Sequence, residues 1–475
     1  MVYRPRKSIL AIKVFVFVVL VSSTLTAAPR KVEIYRFPPG GRSGFGPHAG
    51  LVSGVSGRLY GTTEFGGTGP CLDLTRTITG CGVVFELTPP KCETDSWSER
   101  VILDFQDGPD GGLPLGGLLL DERGNLYGTT LRGGLYGGGT VFELSPSAEK
   151  SRWKETVLSS FPADFGVLSP SGNLTFDAVG NLYGTTGFLV TDADCFNVYE
   201  KFCGTAYQLA KPTRQGDPWT LTTLYEFKSG NSGPNGSLIF DSSGNLYGTT
   251  VSGGGEGIGQ CADFGCGTAF ELVPPSTAGG SWSEIQVHNF QEGTTGDGLA
   301  PLAGLVMNQA GNFFGTTQAG GTGGASDVVC VGPGSSTQCG TVFELIQSGG
   351  AWTETVIYDF QGGVDGSTPT GGLVTDERGN LYGTTFDGGI GNCGFTTVVY
   401  GCGTVFKLVP PAIVDAQGTK TTLFRFTGGN GEFPQATLML AHGFLYGTTS
   451  SGGNKCPSGT GEAPATCGTV FRIRP

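Results

Sequence analysis

The sequence predicts an all-β protein, a seven-bladed β-propeller of four-stranded antiparallel blades closed by the N-terminal strand. A motif close to Leu-Tyr-Gly-Thr-Thr occurs seven times in the 475 residues at intervals of 56 to 68 residues, a spacing typical of an array of repeated units. Four strand-like segments recur in fixed order between the copies, and the two ends of the chain each carry part of one repeat. The glycines of the motif are Gly61, Gly128, Gly184, Gly248, Gly315, Gly383 and Gly447.

The first two strands of a repeat, A and B, are clear in the second copy. Residues 117–121 form a short apolar run without polar alternation, which indicates a strand buried on both faces. Residues 122–125, Glu-Arg-Gly-Asn, supply the turn residues of a hairpin, and residues 126–130 return as strand B.

Strands C and D follow after a glycine-rich loop. Residues 140–144 are predicted to form strand C and residues 153–161 strand D, which leads through a Gly, Asp and Pro-rich connection into the next strand A. The repeat is longer than the 40 to 50 residues typical of a propeller blade, and the excess lies in the loops after strands B and D.

The ends of the chain indicate how the ring closes. Residues 32–37 resemble a strand D such as residues 356–360, whereas the chain stops at residues 468–473, a strand C with no strand D behind it. We therefore predict that Ile34 and Phe37 lie alongside Val470 and Phe471 in the last blade. An open solenoid is the alternative, but it leaves a bare strand edge and requires capping repeats.

Residues 1–28 resemble a secretory signal peptide. Four basic residues lie around and before an apolar run, 14–21, and small residues follow at Ala27 and Ala28. A transmembrane anchor is the alternative, although the run is far shorter than the roughly 20 residues needed to span a bilayer. We expect cleavage to leave residues 29–475 as one propeller domain, a soluble monomer that is secreted or periplasmic and is not inserted in a membrane.

The charge of the chain restricts its partners. The sequence holds 28 basic and 40 acidic residues, and removal of residues 1–28 leaves 24 basic residues against the same 40 acidic ones. This acidic excess argues against nucleic acid and anionic membrane surfaces as partners.

The thirteen cysteines follow a pattern. The second repeat has no close pair, and its loop after strand B, residues 131–138, is also the shortest. One disulfide for each long loop is therefore predicted, with Cys92 left unpaired. Metal ligation is the alternative, but CxxC spacing and partner histidines are missing. The six close pairs are Cys71 and Cys81, Cys195 and Cys203, Cys261 and Cys266, Cys330 and Cys339, Cys393 and Cys402, and Cys456 and Cys467.

The repeat also resembles a known family. Gly-Asn-Leu-Tyr-Gly-Thr-Thr, then Gly-Gly, then Gly-Thr-Val-Phe-Glu-Leu, then Trp and Phe eight residues apart is similar to the GloVer (Gloeo/Verruco) tandem repeat of exported bacterial proteins. The resemblance covers essentially all of residues 29–475. It implies an exported repeat protein and no established reaction.

Residues that recur in every repeat are interpreted as scaffold, so the candidate site rests on less regular residues. Asp110, Asp297 and Asp365 occupy matching places in three connections from strand D to strand A. They could hold Ca²⁺ or bind sugar hydroxyls, or they could be simple Asp-Gly turn residues. No other cofactor is predicted, and the three histidines occupy different repeat positions. The remaining ligand-binding candidates lie in the loops after strand B: Asp192, Asp194, Tyr199, Tyr136, Phe264 and Tyr400.

Two functions remain open from the sequence. The first is a binding or scaffolding module that recognises a glycan or another exported protein. The second is a polysaccharide-active enzyme, a hydrolase or lyase that uses acidic residues at the channel mouth. No catalytic residue is assigned, and carboxyl groups with a raised pKa, about 5 to 10 Å apart, would favour the enzyme.

Overall fold

The seven repeats form seven antiparallel sheets of four strands, each hydrogen-bonded in the order A-B-C-D, in a computed structural model of the chain. We call each sheet a blade and number the blades 1 to 7 in the order of their motifs. The predicted fold class is confirmed. The structure describes residues 31–38, 42–71, 80–92, 96–147, 152–163, 169–170, 172–187, 202–214, 216–228, 231–254, 261, 265–277, 279–291, 296–323, 330, 338–391, 393, 401–413, 416–453 and 467–475.

Strands A and B form a tight hairpin in each blade, and strand A is mostly shorter than predicted. Strands A of blades 1 to 7 are Val52–Ser53, Leu119–Leu120, Thr175–Phe176, Asn231–Phe240, Val306–Met307, Val374–Thr375 and Met439–Ala441. Strands B are Leu59–Thr63, Leu126–Thr130, Leu182–Thr186, Leu246–Gly253, Phe313–Thr317, Leu381–Thr385 and Phe444–Thr449.

Strands C and D complete each blade, and a bulge shifts the register of strand D opposite the phenylalanine or tyrosine of strand C. Strands C are Val83–Thr88, Gly137–Pro146, Phe202–Ala210, Thr268–Val273, Thr341–Ser348, Thr404–Val409 and Thr469–Ile473. Strands D are Ser98–Asp104, Trp153–Pro162, Thr220–Lys228, Ser283–Asn289, Ala351–Asp359, Thr419–Arg425 and, for blade 7, Lys31–Arg36. A two-stranded sheet pairs Gly298–Leu299 with Ala319–Gly320, and short 3-10 turns occur at Val55–Gly57 and Gly363–Asp365.

The two ends of the chain close the ring as predicted. Lys31–Arg36 pairs antiparallel with Thr469–Ile473, with Tyr35 opposite Val470. Ile34 is 7% exposed and Phe37 is fully buried, so the N-terminal strand contributes apolar side chains to the core as well as a ladder of hydrogen bonds.

The first threonine of each motif links its blade to the next one. Thr448 of blade 7 donates to the Ala49 carbonyl of blade 1, which completes the ring. A hydroxyl that satisfies a buried carbonyl removes the penalty of leaving that group unpaired. The other six hydroxyls, with distances of 2.9 to 3.5 Å, are Thr62 to Gly116, Thr129 to Gly172, Thr185 to Gly236, Thr249 to Ala303, Thr316 to Gly371 and Thr384 to Ala436.

The second threonine and the tyrosine of the motif stabilise their own blade. Thr130 Oγ1 lies 2.9 Å from Thr140 Oγ1 on strand C, and five other blades repeat this contact. The Tyr127 hydroxyl donates to Asp121, which also accepts the backbone N–H of Asn125 in the turn between strands A and B. The motif is therefore scaffold, as its recurrence predicts.

The glycine of the motif lies beneath an aromatic ring. A Cβ atom added at Gly128 would stand 2.6 Å from Phe142 Cζ and 3.0 Å from Leu118 Cδ2, inside the limit for real contacts. Phe142 in turn contacts Phe105, the phenylalanine that follows strand D of the preceding blade, with ring centroids 5.4 Å apart. The equivalent contact between blades recurs at all seven junctions, with centroids 4.9 to 5.4 Å apart.

Four of the predicted disulfides are confirmed, and the tryptophans pack in the core. All five tryptophans pack against core clusters of their blades. Cys467 is also disulfide-bonded, whereas Cys195 and Cys456 lie outside the described residues, as does the side chain of Cys203. Cys92 is free and exposed, as predicted. Within the described residues, no helix reaches the length and apolar character of a membrane span. The four bridges join Cys71 to Cys81, Cys261 to Cys266, Cys330 to Cys339 and Cys393 to Cys402.

Candidate functional site

An axial cavity of about 560 Å³ lies where the seven blades converge. We define it by the residues that precede strand A in six blades, by Asn235, Gly236 and Ser237 within strand A of blade 4, and by residues that follow strand B in blades 5 and 6. We call the seven hydrogen bonds from the first threonine of each motif to the next blade the threonine ring. The wall of the cavity includes all seven carbonyl acceptors of this ring, so the hydrogen bonds that close the propeller also shape the cavity. These wall residues are Ala49, Gly116, Gly172, Gly236, Ala303, Gly371 and Ala436.

The polar lining of the axial cavity is almost entirely neutral. Carboxamides from four blades line it, and the only titratable lining groups among the described residues are His48 and Asp387. A surface of amides, hydroxyls and small residues offers both donors and acceptors without a strong field. The four carboxamide residues are Asn173, Asn235, Gln318 and Gln435.

Two side chains of the cavity carry polar atoms without a partner. Asp387 is only 3% exposed, and its Oδ2 atom, like the Oγ1 atom of Thr370, is buried without a hydrogen bond. Burial raises the pKa of Asp387 to about 7, although a hydrogen bond from Thr368 opposes the shift. Buried polar atoms normally find partners, so each of these two atoms is a candidate partner for a ligand hydroxyl.

A second carboxyl group, that of Glu64, contacts the cavity-lining residue His48. Glu64 Oε2 lies 3.1 Å from His48 Nε2, and the Gln435 amide hydrogen-bonds the other ring nitrogen, Nδ1. Burial raises the pKa of Glu64 to about 7, with Arg132 opposing, and burial also lowers the pKa of His48. About a third of the His48 side chain is exposed, so the contact joins a solvent-accessible imidazole to a half-buried acid.

The repeats decide the family. A model of the Gloeobacter/Verrucomicrobia repeat matches residues 22–200, 196–394 and 331–475, which together span nearly the whole chain. The chain belongs to this repeat family. No curated protein matches it.

Solved structures align with this member of the repeat family over most of its length at low identity. A protein of unknown function from Dyadobacter fermentans is 11% identical, covering 94% of this chain and 99% of its own, with a TM-score of 0.40. A putative oxidoreductase (glucose dehydrogenase) from Thermus thermophilus is 15% identical with the same coverage and TM-score. The Trypanosoma rangeli sialidase is 8% identical, covering 95% of this chain and 59% of its own, with a TM-score of 0.35.

The three matching aspartates of this repeat protein lie in turns between strands D and A. Asp110 accepts the backbone N–H groups of Gln106 and Gly108, and Asp365 accepts that of Gln361. These contacts are those of an Asp in a tight turn. None of the three is part of the lining of the axial cavity.

The other predicted site residues are distributed differently. Tyr136 is 63% exposed in the loop after strand B of blade 2 and does not line the axial cavity. Its aromatic ring remains available to a partner at that surface. Five predicted site residues lie outside the described part of the chain: Asp192, Asp194, Tyr199, Phe264 and Tyr400.

Sequence reasoning missed the residues that the cavity brings together. His48 precedes strand A of blade 1, Gln435 precedes strand A of blade 7, and Asp387 follows strand B of blade 6. The only signal is that the repeat position shared by His48 and Gln435, and the repeat position of Asp387, vary in residue type along the chain whereas the motif does not. Only an alignment of the repeats, combined with the order of the blades in the ring, could have shown that these three residues line the same cavity.

Asp387→Asn is expected to change the pH dependence of stability. Asp387 binds its proton more tightly in the folded state, so ionisation destabilises the fold progressively as pH rises from about 4 to about 7. Relative to the wild type, the variant should gain about 2–3 kcal/mol in free energy of unfolding between pH 5 and pH 8. Denaturant unfolding at both pH values measures this difference.

Asp376→Asn is the matched control for this measurement. Desolvation opposes the shift, but the hydrogen bonds of the turn that holds Asp376 together outweigh it and lower the pKa of this carboxyl from its ordinary value. Its substitution should have the same effect at pH 5 and at pH 8. An Asp387→Asn difference that is likewise equal at the two pH values would contradict a buried, weakly acidic Asp387.

Proposed function

We propose that the protein is an exported propeller that binds a neutral glycan in the axial cavity. The observation that carries this proposal is the pair of unpartnered atoms, Asp387 Oδ2 and Thr370 Oγ1, in a cavity lined by carboxamides. Sugar hydroxyls both donate and accept hydrogen bonds, so they suit a lining of amides, hydroxyls and one carboxyl. The volume also falls within the range of about 300–1,000 Å³ that small-molecule sites occupy.

Export is supported by the cysteines and by the N-terminal sequence. Disulfides persist in oxidising compartments, and four bridges lie in the described residues. Residues 1–28 have the charge and apolar pattern of a signal peptide. The ligand is therefore expected to be a cell-surface or extracellular saccharide rather than a cytoplasmic metabolite.

Binding can be tested with an array of neutral and acidic oligosaccharides. We expect neutral oligosaccharides to bind, and calorimetry with the best one should show at least tenfold weaker binding for Asp387→Ala and Thr370→Val, because each variant removes a hydrogen-bonding group. Ile413→Ser, at a side chain that is 73% exposed outside the cavity, should bind as the wild type does.

Tyr136→Ala separates the axial cavity from the loops as the binding site. The cavity proposal expects this variant to keep its affinity, since Tyr136 does not line the cavity. Loss of affinity in Tyr136→Ala with unchanged affinity in both cavity variants would overturn it. The absence of binding to every oligosaccharide on the array would also count against it.

A polysaccharide-active enzyme is the second candidate. Its support is that the pKa values of Glu64 and Asp387 are both raised to about 7, which is the range of a general acid at neutral pH. Release of reducing ends from the bound oligosaccharide, abolished in Glu64→Gln and in Asp387→Asn, would support this reaction. Binding without any release, over hours at pH 5 to 8, would favour the binding module alone.

A further inference from the structure

A cleft of about 730 Å³ lies between strands D of blades 4 and 5, and it is separate in its lining from the axial cavity. His288 of blade 4, Asp297 of the following connection and Glu354 of blade 5 meet there, and their ligand atoms lie within 4.8 Å of one another. None of the three takes part in the contacts that hold the blades together through the motif.

Asp297 is held in a fixed orientation by the backbone. Its Oδ1 accepts the Gly298 N–H at 2.7 Å, and its Oδ2 accepts the Gln291 N–H at 3.0 Å. The same Oδ2 lies 3.1 Å from His288 Nε2, so the imidazole and the carboxylate already converge. Such fixed carboxylates keep further lone pairs for another ligand.

Glu354 brings a second acidic group to the same point. Its Oε1 atom is buried and has no hydrogen-bond partner. Two carboxyl groups therefore face a single imidazole in a partly buried cleft. Buried charges are normally paired or bound to a metal.

The neighbouring junctions show what balances this position elsewhere in the ring. Between blades 5 and 6, Lys420 stands where Glu354 stands, and its Nζ atom lies 2.6 Å from Asp365, the equivalent of Asp297. Between blades 6 and 7, Lys31 takes the same place and bonds the Asn430 carbonyl. At these two junctions an ammonium group therefore occupies this position, whereas between blades 4 and 5 a second carboxyl group occupies it.

The junction between blades 1 and 2 provides an internal comparison. Asp110 and Glu155 repeat the acidic pair there, and Glu155 Oε1 is likewise buried without a partner. However, Leu103 stands at the position of His288, so that junction lacks a nitrogen ligand. The junction between blades 4 and 5 differs in having His288 at this position, and imidazole is a ligand that transition metals favour.

We propose that His288, Asp297 and Glu354 bind a divalent transition-metal ion of the zinc type. The ion would replace the proton between His288 Nε2 and Asp297 and would supply the charge that the Lys420 ammonium supplies at the next junction. One imidazole and two carboxylates form a three-ligand zinc set, and the fourth position would face the cleft and take water. Ca²⁺ prefers six to eight oxygen ligands and should bind far more weakly.

The test is calorimetric titration of the full, disulfide-bonded chain with Zn²⁺ after metal removal, in a Cys92→Ser background that excludes the exposed thiol. We expect one equivalent to bind, and His288→Leu and Glu354→Lys to weaken that binding at least a hundredfold. The first variant reproduces the side chain of the blade 1 and 2 junction, and the second reproduces the lysine of the blade 5 and 6 junction. Glu155→Lys is the control and should bind as the wild type does.

Stability distinguishes loss of the metal site from loss of the fold. Without metal, Glu354→Lys should unfold at the same or a higher denaturant concentration than the parent, because the new ammonium can pair with Asp297 as Lys420 pairs with Asp365. Zn²⁺ should raise the midpoint of the parent and not that of the variant. The proposal is overturned if the parent binds no stoichiometric Zn²⁺, if both variants bind like the parent, or if Ca²⁺ binds more tightly than Zn²⁺.

Discussion

Removal of residues 31–38 is expected to abolish the cooperative fold. The truncation deletes strand D of blade 7 and with it the buried side chains of Ile34 and Phe37. Loss of a buried Ile and a buried Phe costs about 2–5 and 3–5 kcal/mol respectively, which together rival the whole stability of many domains. The truncated protein should aggregate or unfold without a sharp transition, as measured by thermal circular dichroism and size-exclusion chromatography.

A peptide added in trans controls for this truncation. A synthetic peptide of residues 29–38 should restore a sharp transition, because it can pair with Thr469–Ile473 and return Phe37 to its contact with Phe85. The same peptide with Asp at positions 34 and 37 should not, since it would bury two carboxylates. A monodisperse truncated protein with a wild-type unfolding midpoint would show that the ring does not depend on its N-terminal strand.

Gly128→Val is expected to be the most damaging single substitution in the motif. Even Ala would place its Cβ atom 2.6 Å from Phe142 Cζ, and the rigid ring is confined by Leu118 and by Phe105 of the preceding blade. We expect Gly128→Ala to cost about 2–3 kcal/mol in free energy of unfolding and Gly128→Val to cost more, because overpacking in a confined core displaces neighbouring groups. Chemical denaturation measures both.

A double substitution tests the cause of this loss. Phe142→Leu shortens the side chain above residue 128, so Gly128→Ala combined with Phe142→Leu should cost less than the sum of the single changes. Gly429→Ala is the control, since no atom lies within 4 Å of the Cβ it would add. Strict additivity in the double variant would exclude the contact between residue 128 and the ring as the source of the effect.

The blades could be predicted because each is encoded in adjacent residues. The segment from Leu126 to Thr130 is buried throughout and contains the glycine beneath the aromatic ring and both threonines that make the contacts of its blade. Because the segment occurs seven times, the same interpretation could be checked in every repeat. The closure was also readable, since a strand D without a partner stands at one end of the chain and a strand C without one at the other.

The axial cavity and the metal cluster could not be predicted in the same way. His48 meets Gln435 across 387 residues, and nothing near either residue in the sequence marks the contact. For His288 and Glu354, the bulge in strand D changes which side chains face the neighbouring blade, so simple alternation along the strand misplaces them. Asp297 and Glu354 are distant in the sequence, so their contact can be expected only once blades 4 and 5 are known to be neighbours in the ring.

The threonine ring also sets the order in which the protein can fold. Six of its seven hydrogen bonds join residues 43 to 55 positions apart, so they can form before the two ends of the chain meet. The seventh, from Thr448 to Ala49, spans 399 residues. Contacts of such long range are slow to form because the loop entropy must be lost first. Blades 1 to 6 are therefore expected to assemble early as an open arc, and the meeting of its two ends is the expected last event of folding.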